Sequence, residues 1–231
     1  RAAAVFYHER VSADDGAHVI RKNLRLAAHA GGAEGALEFP IAAVASGALE
    51  TIRRATDAPL ALLNPGAAWP NKRWPVDRFG RVAAWLARDH GLQSVVVWGP
   101  GEQRLADHVV QASSGAAIAA PPTRLVDLVA LARAARLMVS GDTGPTHIAA
   151  AVGTPIVALF GPTSPARNGP WSDADLSVSK YGACDCHYER RCRRDAAAWC
   201  LAGISEDEVR RAIERRLGAG SGESRVSRRS V

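Results

Sequence analysis

Two patterns of apolar and polar positions alternate along the middle of this chain. Short apolar runs stand at 60–64 (LALLN), 94–98 (SVVVW), 116–120 (AAIAA), 136–140 (RLMVS), 155–161 (PIVALFG) and 176–180 (LSVSK). Their length and β-branched content predict strands, and their continuous apolar character predicts burial on both faces. Between them, apolar residues recur at helical spacing. One such stretch runs from Val76 to His90, started by Pro75 and stopped by Gly91, and others cover 101–114, 124–135 and 146–153. Residues 17–31 put Val19, Ile20, Leu24, Leu26 and Ala27 on roughly one helical face, with Gly31–Gly32 as a stop. Residues 205–217 predict a last helix with Ser205 as N-cap and Asp207 and Glu208 in its first turn. Strand and helix in alternation imply a parallel sheet with helices on both faces, an α/β, Rossmann-like, doubly wound domain. Such sheets bind ligands beyond the carboxyl ends of their strands, which directs attention to loops 64–75, 98–103, 120–124, 140–147 and 160–171.

Composition narrows the class. The chain has 231 residues, enough at about 150 residues per domain for one large domain or one domain and a piece of another. Hydrophobic residues make up 47% and charged residues 23%, which excludes wholesale disorder and fibrous architecture. No apolar run approaches the ~18 residues of a membrane-spanning helix. His8, Glu9 and Arg10 interrupt the first apolar stretch, so the N-terminus lacks a signal-peptide layout and a cytoplasmic location is expected. Basic residues outnumber acidic ones 29 to 23, a balance that suits phosphorylated small molecules, anionic membrane surfaces or nucleic acid. Part of the excess is local, at Arg190, Arg191, Arg193 and Arg194 and at Arg225, Arg228 and Arg229 in the tail. These arginines lack interleaved aromatics and any recognisable nucleic-acid motif, so that class ranks last and no nucleic-acid partner is expected. Lysine occurs only at 22, 72 and 180, which makes each position worth examining.

The segment from Ser140 to Thr163 is the most informative. A strand ends at Ser140, Gly141-Asp142-Thr143-Gly144-Pro145 turns sharply, and Thr146 is expected to open a helix. Glycine lets backbone approach a ligand closely, and a helix N-terminus offers free N–H groups with partial positive charge. Together they suit a diphosphate, with Thr143 and Thr146 as hydroxyl donors and His147 as a donor to phosphate or sugar. Asp142 would repel phosphate, so its expected role is positional, accepting N–H bonds from the turn or hydroxyls from the ligand. A plain strand-to-helix turn with a capping aspartate and a packed histidine explains the same residues without a ligand. The G-x-G-x-x-G dinucleotide fingerprint is absent. A lysine at a strand's carboxyl end, such as Lys72, can neutralise a departing diphosphate. Glu102 can accept hydroxyls from a ribose or a base edge, or be a first-turn helix carboxylate.

GDTGPTHIAAAVGTPIVALFGPTSP (141–165) resembles the signature of glycosyltransferase family 9, the bacterial heptosyltransferases of lipopolysaccharide core assembly. NPGAAWPNKRWP (64–75), WGPGE (98–102) and the closing pattern Cys184, Cys186, Cys192, Cys200-Leu201 resemble further parts of that family, so the likeness spans roughly residues 15–217. The resemblance implies a two-domain GT-B fold whose C-terminal half binds a nucleotide-sugar donor, typically ADP-heptose. A lipid-linked saccharide acceptor at the inner membrane surface would sit on the N-terminal half, with the enzyme in the cytoplasm or peripheral at the cytoplasmic membrane face. Carried over by position, it implies donor contacts from Lys72, Glu102, Thr123, Asp142, Thr143, Gly144 and His147, with Thr123 aligned less firmly. Ala67 and Ala68 stand where the family often has hydroxyl residues, which leaves the donor sugar open. The implied reaction is inverting and needs no cofactor or metal. Its general base is an aspartate near the start of the N-terminal domain, and this chain is expected to hold only the end of that domain. The expected division is 1–45 as acceptor-domain remnant and linker, 46–217 as the nucleotide-sugar-binding domain, and 218–231 as a disordered basic tail. The isolated chain would then bind nucleotide with little or no transfer. The alternative is a non-catalytic nucleotide-binding module or a partner-dependent fragment.

Weaker constellations complete the reading. Asp173-x-Asp175 matches the pair with which some glycosyltransferases hold Mg²⁺ or Mn²⁺, but it reads more simply as a solvated turn. The four cysteines allow a structural zinc site, reduced packing thiols or disulfides, since their spacing is less regular than paired knuckles. Arg167 and Trp171 are candidates for the cleft wall, and Trp69 and Trp74 for the first loop, with packing as the alternative for each tryptophan.

Overall fold

The computed structural model describes residues 9–12, 16–32, 37–192 and 200–222, without the side chains of Cys200 and 219–222. The remaining stretches, with Arg193, Arg194 and the tail arginines of the basic clusters, lie outside the described residues. Six strands form one wholly parallel sheet: β1 (Leu60–Asn64), β2 (Gln93–Val96), β3 (Ala117–Ala119), β4 (Ala135–Gly141), β5 (Ile156–Phe160) and β6 (Leu176–Ser179). Their order is β3-β2-β1-β4-β5-β6. The order runs outward in both directions from β1 and β4. The topological switch point, where a crevice opens, therefore lies between those two strands.

Alternate residues of each strand serve opposite faces. Ala61, Leu63, Val96, Leu137, Val139, Val157 and Leu159 join one core, with Phe79, Val82 and Leu86 of α3 (Val76–His90), Ala106 and Val109 of α4 (Gln103–Ala112), and Val209 and Ile213 of α8 (Glu206–Gly222). Leu60, Leu62, Val95, Met138, Ile156, Ala158 and Phe160 join the other. Their partners are Ile52 of α2 (Gly47–Ala55), Leu128 and Leu131 of α5 (Leu125–Ala134) and Ala149 of α6 (Gly144–Ala151). β1 and β5 are buried at every position, as a central parallel strand must be.

The expected strands and most helices form within one or two residues of their predicted bounds. The differences are local. α2 was not anticipated. Ser46 caps it by accepting the Leu49 N–H (3.1 Å) and ties it to α5 by donating to Asp127 Oδ1 (2.8 Å). α6 begins at Gly144 rather than Thr146, because Pro145 in the first turn has no N–H to lose. A short helix, α7 (Pro165–Asn168), follows β5, and α8 runs on to Gly222 past its expected end at 217. The first helix, α1 (Val19–His29), forms as expected but buries no residue, with Leu24 44% and Leu26 50% exposed. Trp74 belongs to the core, not to the loop surface: it is 2% exposed and its indole N–H donates to the Ile204 carbonyl (2.9 Å).

Candidate active site

Asn64 ends β1 and Gly141 ends β4, and the loops that leave them face each other across the switch point. The approach is close. A Cβ on Gly141 would stand 2.8 Å from the Lys72 carbonyl oxygen, and one on Gly66 would stand 2.0 Å from Glu102 Oε2. Only glycine fits at either place without moving backbone or the Glu102 carboxylate. Asn64 bridges the two loops, donating through Nδ2 to Ser140 Oγ and Thr143 Oγ1, each at 3.0 Å.

Between the loops opens a cleft of about 420 Å³. Lys72, Glu102, Thr123, Asp142, Thr143 and Gly144 all line it, joined by Asn64, Trp69, Trp98, Leu125, Leu128 and Ile148. Its chemistry is divided. Trp98, Leu125 and Leu128 are apolar, while Lys72, Asp142, Thr143 and Gly144 gather polar groups at the N-terminus of α6. His147, the remaining predicted residue, is not part of the cleft lining; its Nε2 stands 3.5 Å from Asp142 Oδ1.

Lys72 closes a single 3₁₀ turn, Pro70–Lys72, and its ammonium donates to Asp142 Oδ2 at 2.7 Å. The same ammonium lies 4.6 Å from the centre of the Trp69 ring. Asp142 Oδ2 also accepts from Thr163 Oγ1 (2.6 Å) and Asn168 Nδ2 (3.5 Å). Burial alone would raise the Asp142 pKa. Hydrogen bonds from His147, Lys72 and Thr163, with the Lys72 charge, outweigh it and hold the carboxyl far below its ordinary range. The expectation that Asp142 accepts N–H bonds from its own turn is therefore corrected. Its carboxylate fixes the Lys72 ammonium at the cleft wall and is itself fixed from the segment after β5.

Thr146 is also corrected. Its hydroxyl donates inward to the Gly141 carbonyl (2.5 Å) and Ser140 Oγ (2.8 Å), because a buried hydroxyl must satisfy itself within the fold. Glu102 accepts the Gly99 N–H (3.1 Å) and lies 3.7 Å from Arg73 Nη2, so it braces the first two loops while lining the cleft. Asn64, Thr163 and Asn168 were missed. Asn64 could have been noticed as a polar residue ending an apolar strand; the other two carry no local signal.

The weaker candidates separate. The Asp175 carboxyl is 2% exposed and accepts from the Ile156 N–H (2.9 Å) and Arg216 Nε (2.7 Å), tying α8 to β5, while Asp173 is exposed, so the two carboxylates do not act as a pair. Burial outweighs those bonds and raises the Asp175 pKa. Trp171 packs edge-on against His18, and Arg167 lines a different depression, so neither joins the cleft wall. Cys186 and Cys192 bring their sulfurs to 3.7 Å beside Cys184, while the side chain of Cys200 lies outside the described residues. No group of three or more His, Cys, Asp or Glu among the described residues is arranged to hold a metal. No described helix is long and apolar enough to cross a membrane.

Comparison with known proteins agrees with this architecture. The chain is 26% identical over 186 residues to lipopolysaccharide heptosyltransferase 1 of Pseudomonas aeruginosa, covering 79% of this chain and 50% of that protein. It is 35% identical over 116 residues to lipopolysaccharide heptosyltransferase 3 of Escherichia coli, covering 48% and 33% respectively. The chain thus spans half or less of the length of these relatives. Among solved structures, a family 9 glycosyltransferase of Veillonella parvula matches with a TM-score of 0.71 and 25% identity, over 91% of this chain and 63% of that one. An Escherichia coli heptosyltransferase solved with ADP shares the fold with a TM-score of 0.65, at 21% identity, over 93% and 62%. The model of glycosyltransferase family 9 (heptosyltransferase) matches residues 1–197. With most of its length inside that match and its sheet in the same fold, the chain belongs to glycosyltransferase family 9.

Proposed function

We propose that this chain is the C-terminal, donor-binding part of a heptosyltransferase, and that the cleft between β1 and β4 holds a nucleoside-diphosphate sugar. ADP-heptose is the proposed donor, and a lipid-linked saccharide of the lipopolysaccharide core the proposed acceptor, used at the cytoplasmic face of the inner membrane. The observation that carries the reading is the Lys72 ammonium, held by Asp142 beside the N-terminus of α6. A diphosphate placed there meets a positive charge, the Gly144 N–H and the Thr143 hydroxyl at once. Trp98, Thr123, Leu125 and Leu128 would receive the base, with Glu102 toward the ribose. His147 would act through Asp142.

In the proposed reaction the acceptor hydroxyl attacks the anomeric carbon and the bond to the diphosphate breaks on the opposite side, inverting the centre. Lys72 stabilises the charge that develops on the leaving diphosphate. The two carboxylates that line the cleft, Glu102 and Asp142, are engaged by Arg73 and Gly99 and by Lys72 and Thr163, so we assign the base to neither. Titration calorimetry with ADP, UDP and GDP tests the reading. ADP is expected to bind most tightly, and Lys72→Gln to weaken it about tenfold or more. Equal affinity of the variant, or no binding of any diphosphate, would refute it.

A further inference from the structure

We infer that Asn64 is a positioning residue of the cleft, whose buried amide turns the Thr143 hydroxyl into a donor aimed at the ligand. This deepens the reading of the cleft as a diphosphate site and rests on it for the chemistry of the ligand. Asn64 ends β1, is 4% exposed and lines the cleft. Its neighbours fix which way the amide lies. Nδ2 faces Ser140 Oγ and Thr143 Oγ1, each at 3.0 Å, and the Gly66 carbonyl oxygen at 3.4 Å. A carbonyl oxygen can only accept, so the NH₂ end of the amide stands on that side and Thr143 Oγ1 receives one of its protons.

Each hydroxyl carries one proton. That of Thr146 goes to the Gly141 carbonyl or to Ser140 Oγ (2.8 Å), and that of Ser140 reaches the same carbonyl at 3.1 Å. Thr143 Oγ1 already accepts from Asn64. For its own proton the fold offers Ser140 Oγ at 3.2 Å, Thr146 Oγ1 at 3.4 Å and the Gly141 carbonyl at 3.5 Å. All three are longer than the ~2.7–2.8 Å usual between oxygens. Ser140 Oγ and the Gly141 carbonyl are also served at shorter range by Thr146. A charged phosphate oxygen in the cleft outcompetes such acceptors for the Thr143 proton.

The helix start agrees. A threonine at an N-cap ordinarily turns its oxygen to a backbone N–H of the first turn. Thr143 is the N-cap of α6, with extended backbone, yet its side chain makes no such bond. Asn64 holds the oxygen on the strand side instead. The Thr143 proton and the Gly144 N–H thus remain for a ligand, beside the Lys72 ammonium, and all three residues line the cleft. A phosphate oxygen, which only accepts, suits that set of donors better than a sugar hydroxyl does.

The test joins NMR of the 231-residue chain without ADP to calorimetry of ADP binding, in the parent and in Thr143→Val, Thr143→Ser, Asn64→Asp and the double variant Asn64→Asp with Thr143→Val. Without ADP, both side-chain amide protons of Asn64 are expected to exchange slowly with water. Thr143→Val should shift one of them and speed its exchange. Thr143→Val should also weaken ADP about tenfold, and Thr143→Ser, which keeps the hydroxyl, should stay within about threefold of the parent. Ionised aspartate has the shape of asparagine but only accepts, so in Asn64→Asp the Thr143 hydroxyl turns back to the carboxylate. In that background Thr143→Val should cost less than about twofold. Repulsion of ADP by the new carboxylate lowers affinity by the same factor whichever residue stands at 143, so it does not imitate this coupling. Three results would overturn the proposal: amide protons that Thr143→Val leaves unmoved, an equal cost of Thr143→Val in both backgrounds, or Thr143→Ser binding as weakly as Thr143→Val. If Asn64→Asp does not fold, the amide protons and the two Thr143 variants still decide. Failure of the parent to bind ADP would refute the donor site instead, while the amide protons still show whether Asn64 holds Thr143.

Discussion

Lys72 carries its charge on a flexible four-carbon stem, and Asp142 decides where that charge stands. Both side chains are largely buried, at 16% and 7% exposure. Removing one partner of such a pair leaves the other charged and unsatisfied, which costs more than the pair gains. Asp142→Asn is therefore expected to destabilise the fold by about 2 kcal/mol. Adding Lys72→Met to that variant should recover part of the loss, so the two changes should depart from additivity by about 1 kcal/mol or more. Urea midpoints of the four proteins measure this. Strict additivity would mean that the two residues act separately. At this scale the sequence picked out residues that the fold gathers in one cleft, but not how they are wired together. Lys72, Glu102, Asp142 and Thr143 stood out because lysine is scarce and the glycine turns are local. Thr163 and Asn168, 21 and 26 residues from Asp142, join it only once β5 lies beside β4, a contact that no local pattern encodes.

Elements show the same division between local and tertiary causes. The strands were legible because central parallel strands must be apolar throughout, and β1 and β5 are. α2 escaped notice because its nine residues give too few turns for a periodic pattern, although Ser46 marks its start. α1 was legible as a helix, yet its Leu24 and Leu26 proved exposed, since periodicity reports amphipathicity and not what lies against it. α8 illustrates a cap that also fixes tertiary position. Glu208 accepts the Ser205 N–H (2.7 Å) while Ser205 Oγ accepts the Glu208 N–H (3.2 Å), and Lys180 of the strand-end segment donates to Glu208 Oε1 (2.8 Å). The Lys180 hydrogen bond first, and the Ser205 N–H second, lower the Glu208 pKa from an ordinary 4.5 to about 2. A carboxyl lowered in the folded state stabilises it fully above the unfolded value and loses that contribution as pH falls through the folded one. Glu208→Gln is thus expected to cost about 1 kcal/mol near neutral pH, a figure reduced for partial exposure. The difference from the parent should shrink between about pH 4.5 and 2. Denaturant midpoints across that range test it, and a difference independent of pH would assign the loss to packing instead.

For the whole molecule, every strand of the sheet points the same way, so one end collects all the loops that can meet a ligand. The loops at the other end, around 91–92, 115–116 and 153–155, join helices to the next strand. Glycines in left-handed backbone, Gly91, Gly115 and Gly153, make those turns without any ligand. The direction of the sheet was legible from the alternation of patterns alone. The depth of the cleft was not, because it depends on Gly66 and Gly141 meeting side chains and backbone from other loops. A diphosphate ligand that fills the cleft should therefore divide the molecule by end and not by sequence. Under saturating ADP, hydrogen exchange is expected to slow most at 64–75, 98–103 and 140–147, and to slow at 91–92, 115–116 and 153–155 by no more than the global gain in stability. At a hundredfold excess over Kd the fold should gain about 2.7 kcal/mol, and the melting temperature should rise by roughly 5–10 °C. Uniform slowing at both ends would show global stabilisation from a site elsewhere. Slowing confined to the helix-to-strand ends would place the ligand on the opposite side of the sheet. Only protection of the carboxyl-end loops beyond the global gain fits a ligand seated between β1 and β4.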